Sequence, residues 1–206
     1  MPASRHRAIV PLIRLCAVAA LLALVSACAT PRQRDAAKTA APAASQTPAS
    51  NEIDRLRAAG DYRGAAQRLL AQAAQTQSPR REELQLAAAE TLLQGSLPDE
   101  AATLLLQLPV GGSSEYQTRR TLAEARLQLL RAQPQAALRG LAGISEDVAP
   151  NLLVEFHRLR ADTYSVAGNH LESARERVWL DGLLAPADRP TNQQSIWESL
   201  GRLPDA

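Results

Sequence analysis

The chain has little of what usually commits a sequence to chemistry. Its 206 residues hold two cysteines, Cys16 and Cys28, too few for a disulfide framework or a thiolate zinc site. The three histidines, His6, His157 and His170, are scattered. Glu155, His157 and Asp162 are close in sequence, but offsets of two and five residues do not converge on one helix face. These groups read as polar residues on a solvated helix face or turn, not as a metal site. No glycine-rich loop is placed to cradle phosphate, because Gly111-Gly112 follows Pro109 at the end of a helical segment. The longest strongly apolar run, Leu15 to Val25, is 11 residues, where a membrane-spanning helix needs about 20. Catalytic, metal and cofactor-binding residues are accordingly expected to be none.

Charge is also nearly balanced. The formal +2 of the full chain includes Arg5, Arg7 and Arg14, with no acidic residue among the first 27. Without that segment the balance is 20 basic against 21 acidic residues. From residue 51 onward it is 17 against 20. Such a surface has no electrostatic footprint for nucleic acid.

The short apolar run has a more specific meaning. Arg5, His6, Arg7 and Arg14 precede it, and Val25-Ser26-Ala27-Cys28 closes it. A basic segment, a short apolar stretch and small residues describe a secretory signal. The ending resembles a bacterial lipobox, with cleavage between Ala27 and Cys28 and lipid on Cys28. The alternative is an ordinary signal peptide that leaves Cys28 a plain thiol. The lipobox resemblance implies outer-membrane sorting, because Ala29 and not an aspartate follows Cys28. Cys16 would be lost and Cys28 blocked, so stability would rest on packing alone.

Residues 1–27 are thus expected to be a lipoprotein signal peptide. Residues 28–50 are expected to be a lipidated cysteine and disordered linker, since the stretch is rich in Ala, Pro, Thr, Ser and Gln and has no large apolar residue. Its 22 residues after Cys28 would reach roughly 70 Å fully extended.

From Asn51 to Ala206 the composition turns to Leu, Ala, Arg and Glu, with few aromatic and β-branched residues, and so to helix. Four turns recur: Ala59-Gly60-Asp61-Tyr62, Gln94-Gly95-Ser96-Leu97, Arg131-Ala132-Gln133-Pro134 and Ala167-Gly168-Asn169-His170. Each precedes a small residue at which a second helix would pack: Ala65, Ala101, Ala136 and Ala174, separated by 36, 35 and 38. A period near 36 with two helices per unit predicts an all-α, right-handed helical-pair solenoid of tetratricopeptide-like repeats over residues 51–206. Gly60-Asp61-Tyr62 carries the repeat signature best, and the third unit lacks the turn glycine.

Caps are predicted at Ser78-Pro79, at Ser96 with Asp99, and at Thr191 with Gln194. Leu152, Phe156, Leu159, Thr163 and Val166 follow helical spacing, as do Leu171, Ala174 and Val178. Trp179 and Trp197 read as residues that pack repeats together. Thr191 to Leu200 would open a fifth pair, so the repeat region is expected to be incomplete at its C-terminal end. Glu198-Ser199 matches a dipeptide of lytic transglycosylases, a near-chance match with no catalytic domain behind it.

The combination is similar to the LpoA (LppC) family of penicillin-binding protein activators, specifically its N-terminal tetratricopeptide-like domain. The stretches that carry the resemblance are Asp99 to Pro109, Phe156 to Gly168, Leu180-Asp181-Gly182-Leu183-Leu184, and Asn192-Gln193-Gln194-Ser195-Ile196-Trp197-Glu198-Ser199-Leu200. The resemblance implies a periplasm-facing outer-membrane lipoprotein that stimulates the transpeptidase of a class A penicillin-binding protein. It implies contact with that synthase through a C-terminal α/β domain not contained in these residues. It implies no enzymatic activity, no small-molecule substrate and no cofactor beyond lipid on Cys28. The competing expectation is a general lipoprotein scaffold for pilus or outer-membrane barrel assembly. A peptidoglycan lyase acting through Glu198 is a third.

Overall fold

The computed structural model describes residues 48–203 apart from Glu146. The signal peptide, the processing site at Ala27 and Cys28, and the linker up to residue 47 lie outside the described residues. Within them the chain is all helical: α1 (Pro48–Ala58), α2 (Tyr62–Ala74), α3 (Arg80–Gln94), α4 (Pro98–Gln107), α5 (Ser114–Leu130), α6 (Pro134–Leu141), α7 (Pro150–Val166), α8 (His170–Leu183) and α9 (Arg189–Leu200). No strand occurs among the described residues. Helix α1 starts at Pro48, three residues inside the expected linker, because a proline at the first helical position gives up no hydrogen bond.

The helices pair as α1–α2, α3–α4, α5–α6 and α7–α8, and α9 packs on α8. Each second helix also lies against the first helix of the next pair. The repeat is more regular than the sequence suggests. Gly60, Ser96, Ala132 and Gly168 have φ of 77°, 55°, 55° and 77°, and they lie 36 residues apart without exception. Each sits in the left-handed region and closes the first helix of a pair with the same two bonds. In the first unit Asp61 N–H donates to Leu56 C=O at 2.8 Å and Gly60 N–H to Arg57 C=O at 3.0 Å. In the third, Gln133 N–H donates to Gln128 C=O at 2.9 Å and Ala132 N–H to Leu129 C=O at 3.0 Å. The residue that completes the closure, Asp61, Leu97, Gln133 or Asn169, is also the cap of the next helix, with ψ of 68°, 67°, 62° and 65°. One residue thus ends one helix and starts another.

The small residue opening each second helix is Ala65, Ala101, Ala137 and Ser173, every one at 0% exposure and again 36 apart. This corrects the expected Ala136 and Ala174: Ala136 is half-buried, and Ala174 is buried one position past the repeat. Twelve residues before each, the first helix offers Ile53, Ala89, Ala125 and Ala161, all buried. Small groups at these positions let paired axes approach towards the close end of the usual 8–10 Å.

Other expectations change for related reasons. Ser96 cannot cap α4, because its backbone is already used in the left-handed closure of α3; Leu97 occupies the cap and has no side-chain bond. Gly95, the visible turn glycine, has ordinary φ, and a Cβ there would lie 2.5 Å from Tyr62 Cβ. It is required for close approach and not for the turn. The Ser78 hydroxyl donates to Glu82 and caps no backbone group. Pro190 starts α9 early enough to place Thr191 inside the helix, so Thr191 and Gln194 do not form a capping box. Val166, Leu171 and Val178 are exposed, whereas Leu152, Phe156, Leu159 and Thr163 are buried as expected.

Two apolar clusters follow from this stacking. One runs through α1 to α5, and the other joins α5, α6 and α7 around Leu122, Ala137, Leu141 and Phe156. Helix α5 gives Tyr116, Ala123 and Leu127 to the first, and Leu122 and Ala125 to the second. Arginines tie neighbouring pairs together on the outside. Arg63 of α2 grips Glu100 of α4 with Nε and Nη2, and Arg131 reaches Asp99 at 3.2 Å. Such exposed pairs contribute at most about 1 kcal/mol each.

The register is testable by size. Ala137→Leu should lower the stability of the helical region by about 1–3 kcal/mol, since no room exists at a fully buried contact. Ala136→Leu should stay within about 0.5 kcal/mol. Urea unfolding followed by circular dichroism separates the two.

Candidate functional site

The interior changes character at the fourth pair. Leu69, Leu105 and Leu141 are buried at equivalent positions of α2, α4 and α6. The next residue in that series, 36 positions on, is Arg177. Around it the α7–α8–α9 seam is polar: His157, Thr163, Ser173, Glu176, Asn192 and Ser199 are all buried.

Glu176 anchors the α7–α8 contact. Its Oε2 lies 2.9 Å from His157 Nδ1, and its Oε1 accepts from Arg160 Nη2 at 2.7 Å. The Arg160 guanidinium lies 4.4 Å from the centroid of the Phe156 ring. Phe156 meets His157 edge-on at 5.1 Å, and Trp179 lies nearly parallel to His157 at 6.5 Å and 10°. His157 is therefore an internal partner, not the solvated group its sequence context suggests. A buried carboxylate with two partners is tolerated only as a set, because losing one leaves a charge without solvent.

Arg177 and Asn192 make the second layer. Asp162 Oδ1 accepts from Arg177 Nη2 at 2.6 Å, so Asp162 serves helix packing. Asn192 Nδ2 donates to the Arg177 carbonyl at 2.8 Å and to Asp181 Oδ1 at 3.2 Å, which fastens α9 to α8. Arg177 Nε and Asn192 Oδ1 are buried with no hydrogen-bond partner. A cavity of about 310 Å³ opens beside them, walled by α7, α8 and the start of α9. Arg158 and Asp162 line it and also a neighbouring cavity of about 300 Å³ towards α5.

Further along the first helices, Arg119 donates twice to Glu90, from Nε at 3.0 Å and from Nη2. Burial nevertheless pushes the Glu90 carboxyl above its ordinary range, and the Arg119 bonds oppose the rise only in part. A third cavity, about 420 Å³, is bordered by Pro79, Pro109, Gly112 and Tyr116. There the Ser78 hydroxyl holds the Glu82 carboxyl below its usual range, and burial raises the Tyr116 phenol.

The surface of the last helices is unusually apolar. Trp179 is 70% exposed and Trp197 72%, which corrects their reading as repeat-packing residues. Val178, Leu183 and Leu171 are exposed as well. Helical spacing alone cannot tell an inward stripe from an outward one when both carry large apolar residues.

Of the other residues raised by sequence, Glu155 lies 4.0 Å from Arg126 on an exposed face. His170 opens α8. Glu198 is exposed and accepts from Gln194, while Ser199 is buried and donates to the Ser195 carbonyl, so the two occupy different environments. Among the described residues no three His, Cys, Asp or Glu side chains are grouped as metal ligands would be. No described helix is long and apolar enough to cross a membrane. Sequence reasoning missed Arg158, Arg160, Glu176, Arg177 and Asn192. The signal that finds two of them is the break in the 36-residue leucine series at Arg177, whose carbonyl Asn192 then holds.

Stacked helical pairs with a shared turn place the chain in the class of tetratricopeptide-like repeat proteins. More narrowly, residues 61–206 match the LppC putative lipoprotein family, and the chain belongs to that family. Its fold is similar to that of the amino-terminal domain of Escherichia coli LpoA, with a TM-score of 0.61 and 21% identity over 68% of this chain and 63% of that one. It is also similar to full-length LpoA from Haemophilus influenzae, at a TM-score of 0.55 and 21% identity, covering 68% of this chain and 26% of that one. The H. influenzae LpoA N-terminal domain gives 0.54 and 21%, covering 66% and 62%. This chain thus spans under two thirds of the solved domains and about a quarter of the full-length protein. No curated protein shows a significant match to the sequence.

Two substitutions test the electrostatics. Glu176→Ala should destabilise the chain by about 3 kcal/mol, as expected when one member of a buried ionic set is removed, while Glu172→Ala, at a half-buried position, should change it by no more than about 0.5 kcal/mol. Glu90 tests the pH dependence. A folded-state pKa above the unfolded value means that the folded protein takes up the proton first, so this group favours folding at low pH and loses that contribution as pH rises. The stability of the parent relative to Glu90→Gln should therefore fall as pH is raised upward from about 4.3. Urea midpoints measured across that range give the sign.

Proposed function

We propose that this chain is the anchored helical part of an outer-membrane lipoprotein that activates the transpeptidase of a class A penicillin-binding protein. The observation that carries the reading is the family match over residues 61–206, downstream of a lipobox-like Val25-Ser26-Ala27-Cys28. In this reading Cys28 carries the lipid and the stretch before α1 is the tether. The stacked pairs hold a rigid spacer away from the membrane surface. Synthase contact is assigned to an additional C-terminal domain, and the chain itself performs no catalysis.

The experiment is a capture from envelope extract. Cys28→Ala should move the protein out of the outer-membrane fraction and stop its labelling by palmitate. The lipidated parent protein should retain a class A synthase and raise cross-linking in a purified synthesis assay. Failure of both retention and stimulation sinks the activator reading. Recovery of pilus or barrel-assembly components in their place would favour the scaffold reading.

A further inference from the structure

We infer that the outward face of α8 is an interaction surface for a second copy of this chain, packed antiparallel about a two-fold axis at the level of Arg177. The face is unlike its counterparts in the array. Towards the interior α8 buries Ser173, Ala174, Glu176 and Leu180. Towards solvent it presents Leu171, Val178, Trp179 and Leu183, at 44%, 60%, 70% and 40% exposure. A helix that packs one face and carries large apolar groups on the other marks a surface that a further element covers. The 36-residue repeat supplies the comparison. Positions equivalent to Leu171, Arg175 and Trp179 are Arg63, Gln67 and Ala71 on α2, and Asp99, Thr103 and Gln107 on α4, all exposed. On α6 the first two are Gln135 and Arg139, exposed as well. None is a large apolar residue, so the stacking of pairs does not itself call for one.

The order of the side chains selects the occupant. Leu171, Arg175, Trp179 and Leu183 are spaced by four residues and form one ridge along α8, about 18 Å long at 1.5 Å per residue. The ridge is arranged symmetrically about residue 177, with a leucine at each end and a cation and an indole flanking the midpoint. In an antiparallel pair Leu171 meets Leu183 of the second copy, Arg175 meets the second copy's Trp179, and each contact is made twice. The Arg175 side chain is 63% exposed, and among the described residues its only partner is Glu172 of the same helix, at 2.6 Å, which leaves guanidinium donors uncommitted. Trp179 is backed by His157, nearly parallel at 6.5 Å, while its 70% exposure leaves the outer side of the indole open. A guanidinium over that open side is a favourable cation–π contact. Glu172 falls opposite Gly182 of the second copy, where a Cβ would meet nothing within 4 Å and the way is clear. A parallel pair would instead set Arg175 against Arg175. One ridge buries less than the roughly 800 Å² per partner of a standard stable interface, so the dimer is weak, with Kd on the order of 100 μM. Neither lipid nor synthase enters into the contact.

The test uses the full chain with Cys16→Ser and Cys28→Ala, so that no lipid or native thiol joins two copies. Sedimentation velocity across a concentration series should show a monomer–dimer equilibrium. Trp179→Ala should weaken it by roughly tenfold or more, and Arg175→Gln by roughly fivefold, since each substitution removes its contact twice. Arg175→Gln lies on the solvent side of α8, so unchanged helical circular dichroism shows that its effect is on association and not on folding. Orientation is read by cross-linking. A mixture of the Leu171→Cys and Leu183→Cys chains should form a disulfide between them under mild oxidation. Either variant alone should not, because its two cysteines would lie about 18 Å apart along the pair. A monomer up to about 1 mM, a dimer indifferent to both Trp179→Ala and Arg175→Gln, or self-cross-linking as efficient as that of the mixture overturns the proposal. So does a monomer that binds phosphatidylethanolamine–phosphatidylglycerol vesicles through Trp179, which would assign the face to a lipid surface.

Discussion

Two helices lie close together where at least one of them presents a small side chain, and in this protein that condition is met once per pair. Ala65, Ala101, Ala137 and Ser173 face small or aliphatic partners twelve residues earlier in sequence, and all are sealed from solvent. The turn geometry serves the same contact. Because one residue both finishes the first helix and caps the second, the angle between them is set by backbone bonds and not by side-chain chemistry. Neither Ser96 nor Ala132 is a usual choice for positive φ, where a Cβ is disfavoured by roughly 1–2 kcal/mol, yet both adopt it. The stacking contacts on either side outweigh that local preference.

Built on this frame, the chain changes the means by which its pairs cohere. The first three pairs are held by leucine and alanine clusters, while the fourth is held by Glu176, His157, Arg160 and the Arg177–Asp162 pair. Apolar contacts tolerate small shifts in register; charge-assisted bonds with fixed partners do not. The fourth pair is therefore the most narrowly specified part of the array. It also holds a buried donor without a hydrogen-bond partner, Arg177 Nε. Lys38 is the sole lysine of the chain, so among the described helices every ion pair but His157–Glu176 uses the planar fork of arginine.

Much of the architecture was legible from periodicity. Repeating turns, helix-forming composition and helical spacing of apolar residues placed the helices to within a few residues. Registration was less legible, for a physical reason. Alanine is abundant, so Ala136 and Ala137 look alike in sequence, and only packing decides which is sealed. Glycine misled at Gly95, where the requirement is clearance beside Tyr62 and not torsional freedom. The fourth-pair network was the least visible part. His157 and Glu176 lie on different helices, and no local pattern states that two polar residues nineteen positions apart meet inside.

Trp197 occupies the position that Ile53, Ala89, Ala125 and Ala161 hold in the earlier first helices, 36 residues beyond the last of them. Those four side chains are buried against the second helix of their own pair, and three are a single methyl group. An indole there fills the space into which such a helix would descend. Anything resting on that side of α9 must stand farther off or cross at another angle. The tryptophan thus interrupts the translational rule of the array: up to α8 each unit can be generated from its predecessor, and past α9 the same operation no longer fits.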